Sequence, residues 1–230
     1  MNDINGIKFY SPVEESINII SHAIGLMLSI IALVLLVRHA NLHGNIWHVV
    51  SFAIFWASLI SLYGASAFYH SARKPEIRRR LRIIDHATIY ILIAGTYTPF
   101  TLVTLNGPTG WVIFGVCWGM ALTGIVLKLF FTGRYNLIST LMYVFMGWII
   151  VFAIKPLINN LSSDGLFWLV AGGMAYTSGA ILYSIKKIKF NHAIFHIFVL
   201  LGSFCHFVSV YFYVLETWTT MIHSAKGNPL

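Results

Sequence analysis

The sequence predicts an all-α membrane protein of seven transmembrane helices, with a cytoplasmic N-terminus and a C-terminus outside. Composition is the first reason. The 230 residues are 58% apolar and 10% charged, whereas soluble domains carry about 25% charged residues. The mean hydropathy of +0.78 agrees. The second reason is that the apolar residues form seven long runs, and the third is that the basic residues cluster between the runs.

The predicted helices follow in order from an N-terminal start signal. Ser11 suits an N-cap, Pro12 the first helical position and Glu14 a capping box. The sixth run carries small residues at 172–179, which would let another helix approach closely. The chain shows no internal repeat and no linker, so residues 1–230 are predicted to form one domain. The seven runs are residues 15–37, 46–70, 83–105, 111–131, 137–154, 166–185 and 192–215.

The orientation rests on the basic residues, which favour cytoplasmic connectors. A cytoplasmic N-terminus puts twelve of the 15 Lys and Arg inside and three outside. The predicted location is therefore the inner (plasma) membrane, crossed several times. The inside group is Lys8, Arg73, Lys74, Arg78, Arg79, Arg80, Arg82, Lys128, Arg134, Lys186, Lys187 and Lys189. The outside group is Arg38, Lys155 and Lys226.

The same distribution argues against a nucleic-acid partner. A net charge of +8 could suggest one, but the basic residues lie in short connectors and form no continuous face. Cys117 and Cys205 both fall inside apolar runs, so no structural disulfide is expected.

Several ionisable side chains are predicted to share one depth near the cytoplasmic surface. His192 and His196 are four residues apart, so a helix places them on one face about 6 Å apart along its axis. His70, with Ser66 one turn earlier, ends the second run at that surface, and Asp85 opens the third. Because ionisable groups within spans usually mark function, this shared depth favours a metal site.

The chemistry of such a site would be that of catalytic zinc. Three neutral imidazoles leave one coordination position for a water molecule, whose pKa then falls towards 7. A bare Asp85 carboxylate is costly in hydrocarbon. The activated water or the far nitrogen of a ligand histidine is its natural partner.

Other polar residues allow two interpretations. Glu15, Asn18 and His22 recur on one face of the first helix, where they either surround the metal ligands or simply cap and join helices. A single histidine in a membrane helix is more often a hydrogen-bonded contact between helices than a ligand. We apply that interpretation to His22, His86 and His206.

Six motifs and one further histidine, spread over most of the chain, carry a family resemblance. They are E-x-x-N-x-x-S-H at 15–22, S-A-F-Y-H at 66–70, the aspartate of I-I-D-H at Asp85, G-T-Y-T-P-F at 95–100, G-G-x-x-Y-x-x-G at 172–179, H-x-x-x-H at 192–196 and the histidine at His206. In this order the chain resembles the hemolysin III proteins of the progestin and adipoQ receptor superfamily.

The resemblance implies a seven-helix fold with a cytoplasmic N-terminus. It also implies that His70, His192 and His196 bind zinc, with Ser66 and Asp85 close to the metal and its water. Related branches are linked to hydrolysis of lipid amides. The chain lacks the long N-terminal domain of the receptor branch, which argues against hormone signalling.

The first functional hypothesis is a zinc-dependent hydrolase of lipid amide or ester bonds in membrane lipid homeostasis, with a membrane lipid as substrate or ligand. The alternatives are a non-enzymatic zinc-stabilised sensor of the bilayer, a pore-forming hemolysin and an ion-coupled transporter. The spans carry no row of charges along a full-length path, which argues against the pore. The substrate and the oligomeric state are left open by the sequence.

Overall fold

The fold is described by a computed structural model, which covers residues 2–4, 7–132 and 135–215. Within these residues, seven helices are long and apolar enough to cross a membrane. The prediction of an all-α protein with seven such helices is confirmed. A two-stranded antiparallel hairpin, with Asn2 opposite Phe9, precedes the first helix and was not predicted.

The elements are arranged along the chain with short connections. They are β1 (Asn2–Ile4), β2 (Ile7–Phe9), α1 (Pro12–His43), α2 (Ile46–Ser71), α3 (Pro75–Pro99), α4 (Pro108–Phe131), α5 (Asn136–Gly147), α6 (Ile154–Asn160), α7 (Ser163–Ser184) and α8 (Asn191–Val208). A 3-10 segment, Ile149–Ala153, joins α5 and α6 into one span, and π-helical turns extend α3 over Phe100–Thr104 and α8 over Ser209–Val214.

The sequence patterns predicted the first residue of α1 correctly but not that of α3. The Ser11 side chain caps α1 by accepting from the Glu14 N–H at 3.3 Å, and Pro12 is the first helical residue. In contrast, α3 begins at Pro75 rather than near residue 83. The predicted start followed the apolar run, but helical backbone does not require apolar side chains, so the charged turns before residue 83 are helical too.

Two of the basic residues that the sequence analysis grouped with the cytoplasmic connectors are buried, which corrects that interpretation. Arg78 is 1% exposed and Lys128 is 3% exposed. Both lie inside helices, where neighbouring helices cover them. Arg134, Lys226 and the C-terminus, which the predicted topology also assigned to a side of the membrane, lie outside the described residues. The orientation of the termini stays a prediction.

The glycines of α7 bring it close to α8, as predicted from their spacing. A Cβ atom on Gly172 would collide with the His206 ring, and one on Gly179 would lie 2.7 Å from the Phe198 Cβ. The two helices therefore touch through backbone on the α7 side. This contact positions α8, which carries two of the three candidate metal ligands.

The centre of the bundle is formed mainly by α2 and α3, which carry the largest buried side chains. Phe52, Phe55, Trp56 and Tyr63 of α2 and Tyr90 of α3 are each at most 2% exposed. Large apolar side chains of α1 and α4, in contrast, face outwards in a continuous surface. Such surfaces are tolerated when lipid rather than water surrounds them.

Candidate metal centre

Three buried imidazoles meet where the end of α2 approaches the start of α8. His192 Nε2 lies 3.1 Å from His70 Nε2 and 3.1 Å from His196 Nε2. His70 is at the last turn of α2, whereas His192 and His196 occupy the first turns of α8. The helical spacing therefore presents two nitrogens from α8 to a third from α2.

The ring of His70 is oriented by a carboxylate from a third helix. Glu15 Oε2 lies 2.7 Å from His70 Nδ1. A carboxylate only accepts hydrogen bonds, so the proton of the neutral imidazole is on Nδ1 and the Nε2 lone pair faces the other two histidines. This carboxylate–histidine arrangement is characteristic of metal ligands.

The geometry fits a metal ion. In a tetrahedral zinc site with Zn–N distances of about 2.0–2.1 Å, the nitrogens are about 3.3 Å apart. The candidate ligand atoms of His70, His192 and His196 all lie within 4.8 Å of one another. A cation between these three nitrogens could accept a lone pair from each of them. The three residues could therefore hold a metal ion.

Arg78 of α3 completes this arrangement and was missed by the sequence analysis. Its guanidinium forms an ion pair with Glu15 and donates to the backbone carbonyls of Tyr69 and His70 at 3.3 Å and of Ala72 at 3.2 Å. Arg78 thus joins the last carbonyls of α2, which lack helical partners, to the carboxylate that orients the His70 ring. Because the predicted third helix began near residue 83 and α3 begins at Pro75, no pattern in the sequence indicated that Arg78 would be buried beside Glu15.

Asn18 and His22 lie beside the cluster on α1. Asn18 Nδ2 is 3.4 Å from His70 Nδ1, a longer contact than the one from Glu15. The His22 ring stacks on the His196 ring, with centroids 3.7 Å apart and an interplanar angle of 9°. His22 therefore contacts other helices through its ring, by stacking on His196 and by an edge contact with Tyr63. Neither of its ring nitrogens has a hydrogen-bond partner within the described residues, so the expectation of a hydrogen-bonded contact was wrong for His22.

Tyr10 precedes α1 and reaches the same cluster. Its ring stacks on His192 with centroids 4.6 Å apart and an interplanar angle of 15°. Burial raises the pKa of the Tyr10 hydroxyl well above its usual value, so the phenol stays protonated. The N-terminal segment thus covers one face of a candidate ligand, which no pattern in the sequence indicated.

Ser66 and Asp85 line a cavity beside the histidines. The cavity has a volume of about 150 Å³, and His192 and His196 also line it. The Ser66 hydroxyl is buried and has no hydrogen-bond partner within the described residues. The Asp85 carboxylate lies 3.4 Å from Nδ1 of His86, its neighbour on α3. The far nitrogen of a candidate ligand, one of the partners expected for Asp85, is contacted instead by Glu15 at His70.

The two remaining histidines behave differently from each other. His206 Nε2 contacts the Leu169 carbonyl on α7 at 3.1 Å, which is the contact between helices expected for it. His86 Nδ1 instead bonds within its own helix, to the Arg82 carbonyl at 2.8 Å. The expectation of a ring hydrogen bond between helices was therefore wrong for His86, because the adjacent carbonyl and carboxylate of α3 are closer.

Comparisons with known proteins agree with this architecture. The family model "Haemolysin-III related" matches residues 10–207. The chain is 48% identical over 204 residues to "Hemolysin-3" of Bacillus cereus, covering 89% of this chain and 93% of that protein. It is 47% identical over 203 residues to "Hemolysin-3 homolog" of Bacillus subtilis (strain 168), covering 88% and 95%.

A more distant similarity extends to animals. The chain is 27% identical over 218 residues to "Monocyte to macrophage differentiation factor" of Homo sapiens, covering 91% of this chain and 89% of that protein. The matches span the helices that carry the candidate metal ligands, and the described residues contain the seven helices needed for repeated membrane crossing. The chain therefore belongs to the haemolysin-III related family and is an integral, multi-pass membrane protein.

Proposed function

We propose that the protein is a zinc-dependent hydrolase, embedded in the membrane, which cleaves an amide or ester bond of a membrane lipid. One observation carries this proposal. Two of the three clustered imidazoles line a mostly apolar cavity that also contains the Ser66 hydroxyl and the Asp85 carboxylate. Ligands for a metal, a base and a hydroxyl donor thus share one apolar chamber, as a lipid hydrolase requires.

In this proposal His70, His192 and His196 hold the zinc ion, and Glu15 keeps the His70 ring in the correct tautomer. Zinc with three imidazole ligands supplies a Lewis acid and an activated water. All three ligands are buried, so the site excludes bulk water.

Asp85 and Ser66 have separate roles. The Asp85 carboxylate accepts a proton from the attacking water, for which its position on the cavity wall suits it. Nδ1 of its neighbour His86 lies 3.4 Å from the carboxylate. The Ser66 hydroxyl, which has no partner within the described residues, is available to donate to the substrate's carbonyl oxygen. The apolar lining, which includes Leu62, Leu92 and Val199, accommodates hydrocarbon.

The test is hydrolysis by the purified protein. Zinc-loaded protein in detergent is incubated with an extract of bacterial lipids, and released fatty acids are measured by mass spectrometry. Asp85→Asn should abolish release while the zinc content stays the same. Asp164→Asn, which changes an exposed carboxylate at the start of α7, is the control. Wild-type protein that carries zinc yet releases no fatty acid from any lipid class would refute the proposal.

A second candidate is a zinc-stabilised sensor without catalysis. The metal ligands join α2 to α8, and the ion pair of Glu15 with Arg78 adds α1 and α3. A metal that ties four helix ends together could report bilayer state through helix movement. Here Asp85→Asn would leave the cellular phenotype intact, and lipid extracts of wild-type and His196→Ala cells would be identical.

We also propose that the protein lies in the plasma membrane and that its metal site is near the cytoplasmic face. This location is supported by the basic residues that connect the helices on the side of His70. Labelling of single introduced cysteines from outside intact cells tests it. A cysteine at Lys187 should stay unlabelled, and one at Lys155 should react.

A further inference from the structure

Lys128 is a buried cation that the proposed hydrolysis does not use. It lies near the end of α4, is 3% exposed and lines the cavity that His192 and His196 also line. A lysine that merely extends from a membrane helix to the interface keeps its ammonium group in water. Lys128 is instead enclosed by protein, at the wall of the chamber proposed for the lipid.

Within the described residues its contacts include no anionic partner. The ammonium group lies 2.5 Å from Ser139 Oγ and 5.9 Å from the centroid of the Tyr143 ring. Three protons are available on an ammonium group, and a single hydroxyl satisfies one of them. The ion pairs formed within the described residues join Glu15 to two partners and Asp85 to one, and none of them includes Lys128.

A second cation, Arg82 of α3, repels the Lys128 ammonium group electrostatically. Arg82 thus makes the surroundings of Lys128 less favourable for a positive charge. Burying a charge is costly unless an opposite charge and good hydrogen bonds compensate it, and an ionisable residue inside a membrane protein usually marks a functional site.

We propose that Lys128 binds the anionic group of an amphiphile, a carboxylate or a phosphate, whose first carbons occupy the cavity. The volume of about 150 Å³ holds a molecule the size of benzene, so it admits a head group with a few carbons rather than a whole lipid. Ser139 accepts a hydrogen bond from the Lys128 ammonium group, and its own hydroxyl proton would be donated to the bound carboxylate or phosphate. This deepens the proposed function by giving the charge of its lipid, and it rests on that function only for the identification of the ligand as substrate or product.

The experiment measures binding without turnover. Purified protein in dodecyl maltoside is titrated with two pairs of probes, and the bound fraction is measured by native mass spectrometry. Oleate is compared with methyl oleate. An ether-linked dioleyl phosphatidylglycerol is compared with the corresponding ether-linked phosphatidylcholine. Ether lipids resist hydrolysis, so the result does not depend on catalysis.

In at least one pair the anionic probe should bind about 10- to 100-fold more tightly, the range for a hydrogen bond to a charged group. Preference in the oleate pair identifies a carboxylate, and preference in the ether-lipid pair identifies a phosphate whose charge is not balanced by a cation in the same head group. Lys128→Met should abolish the preference and Lys128→Arg should preserve it. Lys187→Met, which removes an exposed lysine, is the matched control and should bind as wild type does.

Two results would overturn the proposal. One is equal binding within both probe pairs by the wild-type protein, a measurement that needs no variant to fold. The other is a preference that Lys128→Met retains. Zinc content is measured in parallel and should be the same in all variants. A protein that prefers anionic probes but releases no fatty acid from ester lipids would contradict the hydrolase while leaving this binding site in place.

Discussion

Replacing Glu15 by glutamine should weaken zinc binding without removing any ligand. In the wild type the carboxylate accepts from His70 Nδ1 at 2.7 Å and pairs with Arg78. Glutamine has a similar shape and could still offer one oxygen, but it loses the negative charge that makes the His70 ring a stronger donor to a metal. The variant therefore isolates the electrostatic contribution of Glu15.

The magnitude follows from the position of the carboxylate. Changing the partner of a ligand histidine typically lowers metal affinity 10- to 100-fold, which is about 1.4–2.7 kcal/mol. Folding should suffer less than in a typical broken buried ion pair, which loses about 3–5 kcal/mol. Arg78 keeps the carbonyls of Tyr69, His70 and Ala72 as acceptors, so we expect a loss of about 1–3 kcal/mol.

The assay is competition for zinc with a chelator of known affinity, carried out on the purified protein in detergent. Heat unfolding in the same detergent measures stability. Glu76→Gln, which changes an exposed carboxylate in the first turn of α3, is the matched control and should behave as wild type. Wild-type zinc affinity in Glu15→Gln would refute the role of Glu15 in orienting His70.

Three further predictions concern the surroundings of the site. Arg78→Met should lower zinc affinity, but less than Glu15→Gln does. Arg79→Met, which changes an exposed neighbouring arginine, should leave zinc affinity unchanged. Equal zinc affinities of Arg78→Met and Arg79→Met would contradict the contacts of Arg78. Tyr10→Ala should speed extraction of zinc by a chelator, because it uncovers the His192 ring, and an unchanged rate would count against that cover. Gly172→Ala should lower the free energy of unfolding by about 1–3 kcal/mol through overpacking. Gly115→Ala, at an open position of α4, should leave it unchanged. Equal stability of these two variants would argue against the close approach of α7 and α8.

The arrangement of the candidate metal ligands could be anticipated because it depends on regular helices. A four-residue step places His192 and His196 on one face of α8 whatever surrounds them. Counting spans of about 20 residues then puts the end of the second and the start of the seventh at the same surface. Depth in a membrane is a one-dimensional property, so the sequence alone could indicate that His70 lies at that level.

The partners of these ligands could not be anticipated, because they depend on how helices pack around one another. Arg78 and Lys128 are near the ends of apolar runs, where basic residues usually contact water or lipid head groups. Their burial is decided by neighbouring helices, which no local pattern specifies. Tyr10 lies before the first helix, in a stretch without periodicity, and its return to His192 is a tertiary contact.

His86 of α3 and His206 of α8 also show that tertiary contacts could not be predicted from the sequence. Both His86 and His206 are single imidazoles in apolar helices, and one interpretation was applied to both. Only His206 bonds to another helix, where the glycines of α7 bring the Leu169 carbonyl within reach. His86 finds acceptors on its own helix first. Whether a histidine ring bonds to an acceptor on its own helix or on another helix depends on tertiary packing, which sequence patterns do not specify.

The central claim is that imidazoles of α2 and α8 hold one zinc ion. Its most direct test is the metal content of the purified protein, measured by elemental analysis after dialysis against metal-free buffer. We predict about one zinc per chain in the wild type and in His206→Ala, and none in His192→Ala or His196→Ala. Wild-type protein that neither contains nor takes up stoichiometric zinc, or a His192→Ala/His196→Ala double variant that retains it, would contradict the claim.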